Sequence, residues 1–424
     1  MALEICIVAP GSRGDVQPYL ALAVGFRVAG HGVRLVTTMD HGDLVREHGV
    51  EPWLAAIDVR AELDAPEVKR AVEGGGMVAS FRHFAAIAER GAGLVAEQAL
   101  AASEGADAIL GGFGGVFLGS AVAARRGIPL IQAYNVPFTP TAAWPGALTP
   151  WLSFPPRALT HRLGHHIARQ VLWLTARASG NGAIRTRLGS GGAPLLARFD
   201  SGVLGAGPVI YGLSPAAMGR PADWDAAIGM PGFWFLDEPE GWQPPADLLA
   251  FLDAGPAPVY IGFGSMVSEN PEAAARVVLD AVQRSGSRAV IHAGWGGLAP
   301  GELPASVLAV GNTPHAWLFP RMAAVVHHGG AGTTAAGLRA GVPQVLVPHH
   351  GDQPFWGRLV HEKGVAPVAV PRTRMTAARL GAAITAAVGD AGMRARAAEI
   401  GAGVRAEDGV GGTVALVERA LSRR

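Results

Sequence analysis

Short apolar runs, separated by glycine-rich turns and helix-like stretches, repeat along the whole chain. The first run covers residues 3–9 and is followed by the turn "PGSRGD", an apolar helix pattern over 16–29 and a second strand at 33–37. A strand, a helix and a second strand in this order predict a βαβ unit, in which the two strands are parallel. Runs rich in Val, Ile and Leu are typical of a parallel sheet that is buried on both faces.

The same order returns in the second half, with the runs "APVYIGFGSM", "RAVIHAGWGG", "SVLAVGN", "AAVVHHGG" and "PQVLVPH". Between them, "MPGFWFLDEPEGWQPP" is rich in proline and tryptophan and is interpreted as a linker. We therefore predict the α/β class, with two tandem doubly wound (Rossmann-like) parallel-sheet domains facing across a cleft. The predicted boundaries are 1–225 for the first domain, 226–245 for the linker, 246–405 for the second domain and 406–424 for a last helix.

Charge and cysteine content exclude several classes of protein. The 424 residues include 35 Lys and Arg against 34 Asp and Glu, a balance that argues against a nucleic-acid binder. Cys6 is the only cysteine and lies in an apolar run, so there is no disulfide framework. The chain shows no signal-peptide pattern and no apolar run long enough to span a bilayer, so we expect a cytoplasmic protein.

The segment from 128 to 156 carries no formal charge, contains seven prolines and is followed by basic residues between Arg157 and Arg169. One interpretation is an apolar cleft wall beside a solvated helix. The other is an apolar acceptor pocket whose basic flank rests peripherally on an anionic membrane surface. The candidate pocket residues are Phe113, Phe138, Trp144 and Trp151.

The motif "GSRGDVQP" stands between the first strand and the first helix. Gly11 and Gly14 allow a tight turn, and the N–H groups at the helix start favour an anion. Asp15 falls near the N-cap position, where an Asp contributes about 1 kcal/mol by capping. The alternative is a catalytic base projected into the cleft. Position alone favours capping.

The motif "VVHHGGAGTTAAGLRAG" could hold a metal or a phosphate. Adjacent strand residues point to opposite faces, so His327 and His328 cannot easily share one ion, and neither HExxH spacing nor cysteine ligands are present. The order strand, glycine turn and helix, with the helix starting near residues 333–334, fits a pyrophosphate better. About 20 residues later, Asp352 and Gln353 could bond vicinal sugar hydroxyls.

These residues resemble a known family. "GSRGDVQPYLALA" and "PHAWLFPRMAAVVHHGGAGTTAAGLRAGVPQVLVPHHGDQPFWGRLV" are similar to the nucleotide-sugar-dependent glycosyltransferases of the GT-B fold. The sterol and lipid glucosyltransferases are the most similar, followed by the glycopeptide and macrolide antibiotic enzymes. Residues 60–200 match only in general character. The resemblance implies that the first domain (1–225) binds the acceptor, that the second (246–405) binds the nucleotide sugar and that the helix at 406–424 returns to the first domain. The resemblance implies an inverting transfer with no metal and no cofactor other than the nucleotide-sugar co-substrate.

The resemblance also implies roles for single residues. Asp15 would deprotonate the acceptor hydroxyl, and the loop at Thr313–His315 would cover the nucleobase. Asp352 and Gln353 would hold the donor sugar. The expected contacts to the donor phosphates come from Ser12, Arg13, Ser265, His327, Gly329, Gly330, Gly332 and Thr333.

Two departures from the sterol enzymes leave the acceptor and the sugar open. Ala316 stands where those relatives often have Asp, and His349–His350 replaces a common Phe-Phe pair. Trp317 comes too late in its loop to stack on the base, and we expect it in the core.

The sequence thus predicts an enzyme that moves a sugar, with UDP-glucose as the expected donor, to the hydroxyl of a sterol-like or other lipid acceptor. The alternative is a tailoring enzyme for a polyketide, macrolide or glycopeptide that uses a dTDP- or UDP-sugar. A nucleotide-sugar epimerase and a non-catalytic binding protein of the same fold are further classes.

Overall fold

The computed structural model describes residues 2–64, 77–183, 207–238, 241–264, 270–292 and 303–422. Within these ranges the chain forms two α/β domains, each built on a parallel sheet. The predicted fold class is therefore confirmed. Among the described residues, no helix has both the length and the apolar character needed to cross a bilayer.

The first domain contains a six-stranded sheet in the described part of the chain, in the order β3-β2-β1-β4-β5-β6. Its strands are β1 (Glu4–Val8), β2 (Gly32–Thr38), β3 (Pro52–Ala55), β4 (Ala108–Gly111), β5 (Leu130–Tyr134) and β6 (Val209–Tyr211). In register, Ile5 lies between Val33 and Ala108. Because β1 is central, its side chains are buried on both faces, as the unbroken apolar run predicts.

Helices connect these strands and cover the sheet. They are α1 (Arg13–Val28), α2 (Gly42–Glu47), α3 (Val59–Asp64), α4 (Met77–Ala102), α5 (Val116–Arg126), α6 (Arg157–Ala183) and α7 (Pro215–Met218). The long helices α4 and α6 pack against each other. The proline-rich segment before α6 forms no helix, because proline lacks the N–H that a helix interior needs.

The second domain has a five-stranded sheet in the order β11-β10-β7-β8-β9, as far as the structure is described. The strands are β7 (Val259–Gly262), β8 (Ala289–His292), β9 (Val307–Val310), β10 (Ala324–His327) and β11 (Gln344–Leu346). The helices are α8 (Ala246–Asp253), α9 (Pro271–Ser285), α10 (His315–Leu318), α11 (Ala331–Ala340), α12 (Gln353–Glu362), α13 (Ala377–Gly389) and α14 (Ala391–Arg405). Central β10 pairs with β7 and β11.

The last helix, α15 (Gly409–Ser422), packs on α1 of the first domain. The indole N–H of Trp234 donates to the hydroxyl of Thr413 at 2.8 Å, and His31 contacts Glu418 at 3.1 Å. Val417 is fully buried in the core of the first domain. The chain therefore ends by joining its second half to its first.

Direct contacts also connect the two domains near the middle of the molecule. The Arg358 guanidinium donates to the carbonyl oxygen of Pro150 at 3.2 Å, and the Lys363 ammonium donates to that of Met218 at 3.2 Å. The Glu407 carboxylate accepts the backbone N–H of Ala216 at 2.7 Å. These bonds hold the carboxyl end of the second domain against α7 and the proline-rich segment.

Gly409 provides a test of how α15 is anchored. A Cβ at this position would lie 2.1 Å from the carbonyl oxygen of Phe233, so Gly409→Ala must displace the start of the helix. We expect the substitution to lower the free energy of unfolding by about 1–3 kcal/mol, measured by urea denaturation.

The matched control for this test is Gly389→Ala at the end of α13, where no described heavy atom lies within 4 Å of the added carbon. It should change the free energy of unfolding by less than about 0.5 kcal/mol. Equal stability of both variants would contradict the anchoring of α15 at Gly409.

Candidate functional site

The start of α1 fixes the carboxylate of Asp15. Ser12, not Asp15, is the N-cap residue, and Asp15 is the third residue of the helix. The backbone N–H and the hydroxyl of Ser12 both donate to Oδ2 of Asp15, at 2.9 and 2.8 Å. Because both bonds go to the same oxygen, Oδ1 of Asp15 remains to accept a proton from another group.

Asp15 lines a narrow recess. The recess lies at the carboxyl ends of β1, β4 and β5, and its walls include Tyr19, Phe113 and Asn135. Burial raises the pKa of Asp15, while the bonds from Ser12 oppose that rise. A carboxylate with a raised pKa accepts a proton more readily, which is the property a general base needs.

Of the four predicted pocket aromatics, Phe113 lines this recess and Phe138 packs behind it. Phe113 is 41% exposed and stacks on the buried ring of Phe138 with centroids 5.2 Å apart. Trp144 instead packs edge-on against Trp224 inside the core, with 5.8 Å between ring centroids. Trp151 is 57% exposed on the surface before α6. Neither Trp144 nor Trp151 lines the recess that holds Asp15.

His327, at the end of β10, is fully buried and bonded on both ring nitrogens. Its Nδ1 accepts the backbone N–H of Gly329 at 3.0 Å, so the ring proton is on Nε2, which donates to Oε1 of Gln344 at 2.8 Å. Burial lowers the pKa of His327 to about 4, and the ring is neutral. In this arrangement His327 has no N–H left for a phosphate oxygen.

His328, which the sequence analysis did not select, lies between two glycine turns. Its ring is perpendicular to that of His327, and its Nδ1 has no hydrogen-bond partner within the described ranges. A Cβ on Gly330 would lie 2.5 Å from the His328 ring, and one on Gly264 would lie 3.1 Å away. Burial, followed by the neighbouring histidines, lowers the pKa of His328 to about 3. Strand alternation was the signal that only one histidine of the pair could reach a ligand.

The helix α11 begins at Ala331, two residues earlier than the sequence suggested, and Gly330 is its N-cap. Glycine has no side chain to accept the first helical N–H groups, so the helix start favours an anion. Gly329 adopts a φ of +91°, which glycine tolerates. A Cβ on exposed Gly332 would meet no described heavy atom within 4 Å.

The two threonines of this turn have different environments. The Thr334 hydroxyl is buried and donates to the carbonyl oxygen of Gly330 at 2.9 Å. Thr333 is half-buried at the outer side of the first turn.

Asp352 and Gln353 begin α12 and are partly engaged by the protein itself. The indole N–H of Trp356 donates to Oδ2 of Asp352 at 2.7 Å. The amide oxygen of Gln353 accepts the backbone N–H groups of His349 at 2.7 Å and His350 at 3.2 Å, which fixes the preceding loop. Burial and then the charge of Asp15 raise the pKa of Asp352 to about 6. The two carboxyl groups therefore interact across the boundary between the domains.

A second pair spans the same boundary. Burial, followed by the charge of Arg13, lowers the pKa of His315 to about 3. His315 stacks on Phe319 with 4.2 Å between ring centroids, and Thr313 lies in the loop just before it. Trp317 is half-buried against Trp242 of the linker.

The last predicted donor contact, Ser265, lies outside the described residues. Within the described ranges, no group of three or more His, Cys, Asp or Glu side chains is arranged to hold a metal ion. The site therefore combines a carboxylate that can take a proton, an uncapped helix start and neutral imidazoles.

Comparison with known proteins adds the family. Residues 5–132 match the glycosyltransferase family 28 N-terminal domain, and residues 276–410 match the C-terminal domain of erythromycin biosynthesis protein CIII-like proteins. The chain is 34% identical to the sterol 3-beta-glucosyltransferases UGT80A2 and UGT80B1 of Arabidopsis thaliana, over 97% and 99% of its own length. The chain belongs to the GT-B glycosyltransferase family that includes these proteins.

This glycosyltransferase spans 64% of the length of UGT80A2 and 68% of that of UGT80B1. Against the sterol 3-beta-glucosyltransferase of Aspergillus terreus it is 32% identical and spans 30% of that protein. The calicheamicin glycosyltransferase CalG4 superposes with a TM-score of 0.68 at 20% identity, covering 100% of this chain and 99% of that one. Streptomyces sp. SF2575 SsfS6, complexed with thymidine diphosphate, gives 0.64 at 21% identity, with 98% and 99% covered. At such identities the likeness shows the shared fold.

The two carboxyl groups of this glycosyltransferase should titrate as neighbours. Asp15→Asn removes a negative charge near Asp352, so we expect the pKa of Asp352 to fall below about 6. Burial should still hold it above the ordinary value. Carboxyl ¹³C chemical shifts followed against pH would measure the change.

Asp223 is the internal control for this titration. Although burial opposes the shift, bonds from Thr141 and Arg162 lower its pKa to about 2, and Asp15 is not among the causes. The pKa of Asp223 should not move in Asp15→Asn. If the pKa of Asp352 in Asp15→Asn is also the same as in the wild type, the two domains do not approach each other as described.

Proposed function

We propose that this chain transfers glucose from UDP-glucose to the hydroxyl group of a sterol-like or other lipid acceptor, with inversion at the anomeric carbon and without a metal ion. The observation that carries the proposal is the position of Asp15, in a recess of the first domain yet close enough to Asp352 of the second for the two charges to interact. Two relatives that align with most of this chain are sterol 3-beta-glucosyltransferases, which supports the choice of sugar and acceptor.

The donor diphosphate would bind at the start of α11. The N–H groups after Gly330 lack a side-chain cap, and the helix dipole favours negative charge there. The imidazole of His328 lies beside this turn, whereas both ring nitrogens of His327 are engaged. We therefore assign the phosphate contact to His328, with His327 supporting the turn through Gly329.

Asp15 would act on the acceptor. Ser12 holds Oδ2, so Oδ1 would take the proton of the acceptor hydroxyl while the hydroxyl oxygen bonds to the anomeric carbon. The bond from that carbon to the diphosphate oxygen breaks, and its electron pair leaves with the nucleoside diphosphate. Preorganised N–H groups stabilise the charge that develops on this leaving group. Phe113 forms the apolar side of the recess where the acceptor would enter.

The sugar itself would lie between the two carboxyl groups. Trp356 holds Oδ2 of Asp352, which leaves Oδ1 to accept a sugar hydroxyl. Gln353 fixes the loop at His349 and His350 through its amide oxygen. Arg13 and His315, which interact across the boundary, would then flank the donor from opposite domains.

A second candidate is a tailoring transferase for a polyketide, macrolide or glycopeptide. The match of residues 276–410 to the erythromycin biosynthesis protein CIII-like model favours it. The two candidates differ in donor and acceptor, while the roles of Asp15 and His328 are the same in both.

The function test is a donor and acceptor screen read by mass spectrometry, with a chelator in every reaction. We expect glucose transfer from UDP-glucose to a sterol in the wild-type protein, and a rate lower by about 100-fold or more in Asp15→Asn. UDP affinity should be nearly unchanged in this variant. Transfer only from dTDP-deoxysugars would select the tailoring enzyme, and donor conversion without any acceptor would indicate an epimerase. If Asp15→Asn transfers sugar at the wild-type rate, the role of Asp15 is limited to capping α1.

The phosphate contact has its own test in UDP binding. His328→Ala should weaken UDP binding by about 1.5–3 kcal/mol, the scale of a hydrogen bond to a charged group, measured by calorimetry. His361→Ala, an exposed histidine at the end of α12, is the matched control and should bind UDP as the wild type does. If His327→Ala weakened UDP binding while His328→Ala did not, the contact would belong to His327.

A further inference from the structure

The helix α6 carries apolar side chains on its outward face as well as on its inward face. Its inward face buries the polar residues Thr160, His161 and His165 as well as the apolar residues Ala168, Leu172 and Trp173. Its outward face carries apolar side chains that are 39–64% exposed, namely Leu159, Leu163, Ile167, Val171 and Leu174. A surface helix normally turns its apolar stripe to the core, so a second stripe exposed on the outside is unusual.

These five side chains form one continuous stripe. They recur every three or four residues, which places them on one side of a helix. From the first to the last the stripe is about 22 Å long, at 1.5 Å per residue. Phe154 and Trp151, which precede α6 in the chain, are also exposed, by 54% and 57%. We call the five residues together with Trp151 and Phe154 the α6 face.

The charges around the α6 face select its partner. The sequence contains no Asp or Glu between residues 108 and 199, and Arg157 and His166 are exposed on α6 itself. The nearby carboxylate of Asp223 is bonded by Arg162 at 2.8 Å and by Thr141 at 2.6 Å. An apolar face with a basic rim complements an anionic lipid surface. A second copy of this chain would instead place one basic rim against another.

The α6 face begins at the boundary between the domains. The carbonyl oxygen of Pro150 accepts a bond from Arg358 of the second domain, and the next residue is exposed Trp151. The chain segment that leads into α6 therefore lies at the contact between the domains.

We propose that the α6 face docks on the surface of an anionic lipid bilayer, so that a membrane-held acceptor reaches the cleft beside Trp151. The docking stands on the α6 face alone, and only the acceptor step rests on the proposed function. Leu163 and Ile167, at the centre of the stripe, enter the apolar boundary of the bilayer while Arg157 meets the headgroups.

The experiment measures binding to vesicles by cosedimentation, using pure phosphatidylcholine vesicles and vesicles that also contain phosphatidylglycerol. Wild-type protein should bind the anionic vesicles, and added salt should weaken that binding. The double variant Leu163→Glu/Ile167→Glu should lose about tenfold or more in vesicle affinity. Both positions are exposed, so the fold should be retained, which circular dichroism would check.

The matched control is Leu249→Glu/Val368→Glu, which adds the same two charges at exposed apolar positions, 41% and 68% accessible, on the second domain. Its vesicle affinity should stay within about twofold of the wild type once the added charge is screened by salt. If both double variants lose the same vesicle affinity, the effect comes from net charge alone and the proposal is overturned. Binding of wild-type protein to neither vesicle would also overturn it.

Two readouts separate this proposal from others. Light scattering at matched concentrations would show whether the wild-type protein is a dimer and whether Leu163→Glu/Ile167→Glu dissociates it. That outcome would make the α6 face a self-association surface and overturn the docking. With a water-soluble acceptor, Leu163→Glu/Ile167→Glu should transfer sugar at the wild-type rate, but with a vesicle-embedded sterol its rate should fall about tenfold. Vesicle binding without any sugar transfer would leave the docking intact and contradict the proposed function alone.

Discussion

The parallel pairing of short buried strands is the constraint on which the rest of the structure depends. Because all strands of a sheet run the same way, the loops after their carboxyl ends collect at one edge. In the first sheet this edge brings Asp15, Phe113 and Asn135 to one recess, although they are far apart in sequence. In the second sheet it brings Gly264 and His328 together at the start of α11. The location of the site thus follows from the topology of the two sheets, whatever side chains the loops carry.

The strands and their direction could be predicted from sequence because apolar runs and glycine turns are local signals. The identity of the residue that caps α1 could not, since Ser and Asp are both good N-cap residues and "GSRGD" offers one of each. The structure places Ser12 at the cap and Asp15 three residues later. At that position one carboxylate oxygen bonds the cap and the other remains available. Capping and proton transfer, which the sequence presented as alternatives, are compatible in one side chain.

The histidine pair shows a different limit of sequence reasoning. Alternation along a strand predicts that His327 and His328 face opposite ways, but not which of them faces the ligand. Tertiary contacts distinguish the two rings. Gln344 and the N–H of Gly329 engage both nitrogens of His327, whereas Nδ1 of His328 has no partner within the described residues. This difference is the ground for the proposed assignment of the phosphate contact to His328. The aromatic residues of the charge-free segment present the same difficulty. Trp144 and Trp151 have similar sequence surroundings, yet one packs in the core and the other is exposed.

Burial has opposite consequences for the acids and the bases of this cleft. It raises the pKa of Asp15 and Asp352 and lowers that of His315 and His328, because a low-dielectric environment disfavours either charge. The histidines of the ligand-free cleft are therefore neutral at physiological pH, and a diphosphate would meet neutral N–H donors and main-chain amides. Such donors need no counter-ion to be displaced before the anion binds, and they are already oriented. Arg13 lies close enough to His315 for its charge to lower the pKa of that imidazole, so under the proposed function it would add a formal positive charge from the opposite domain.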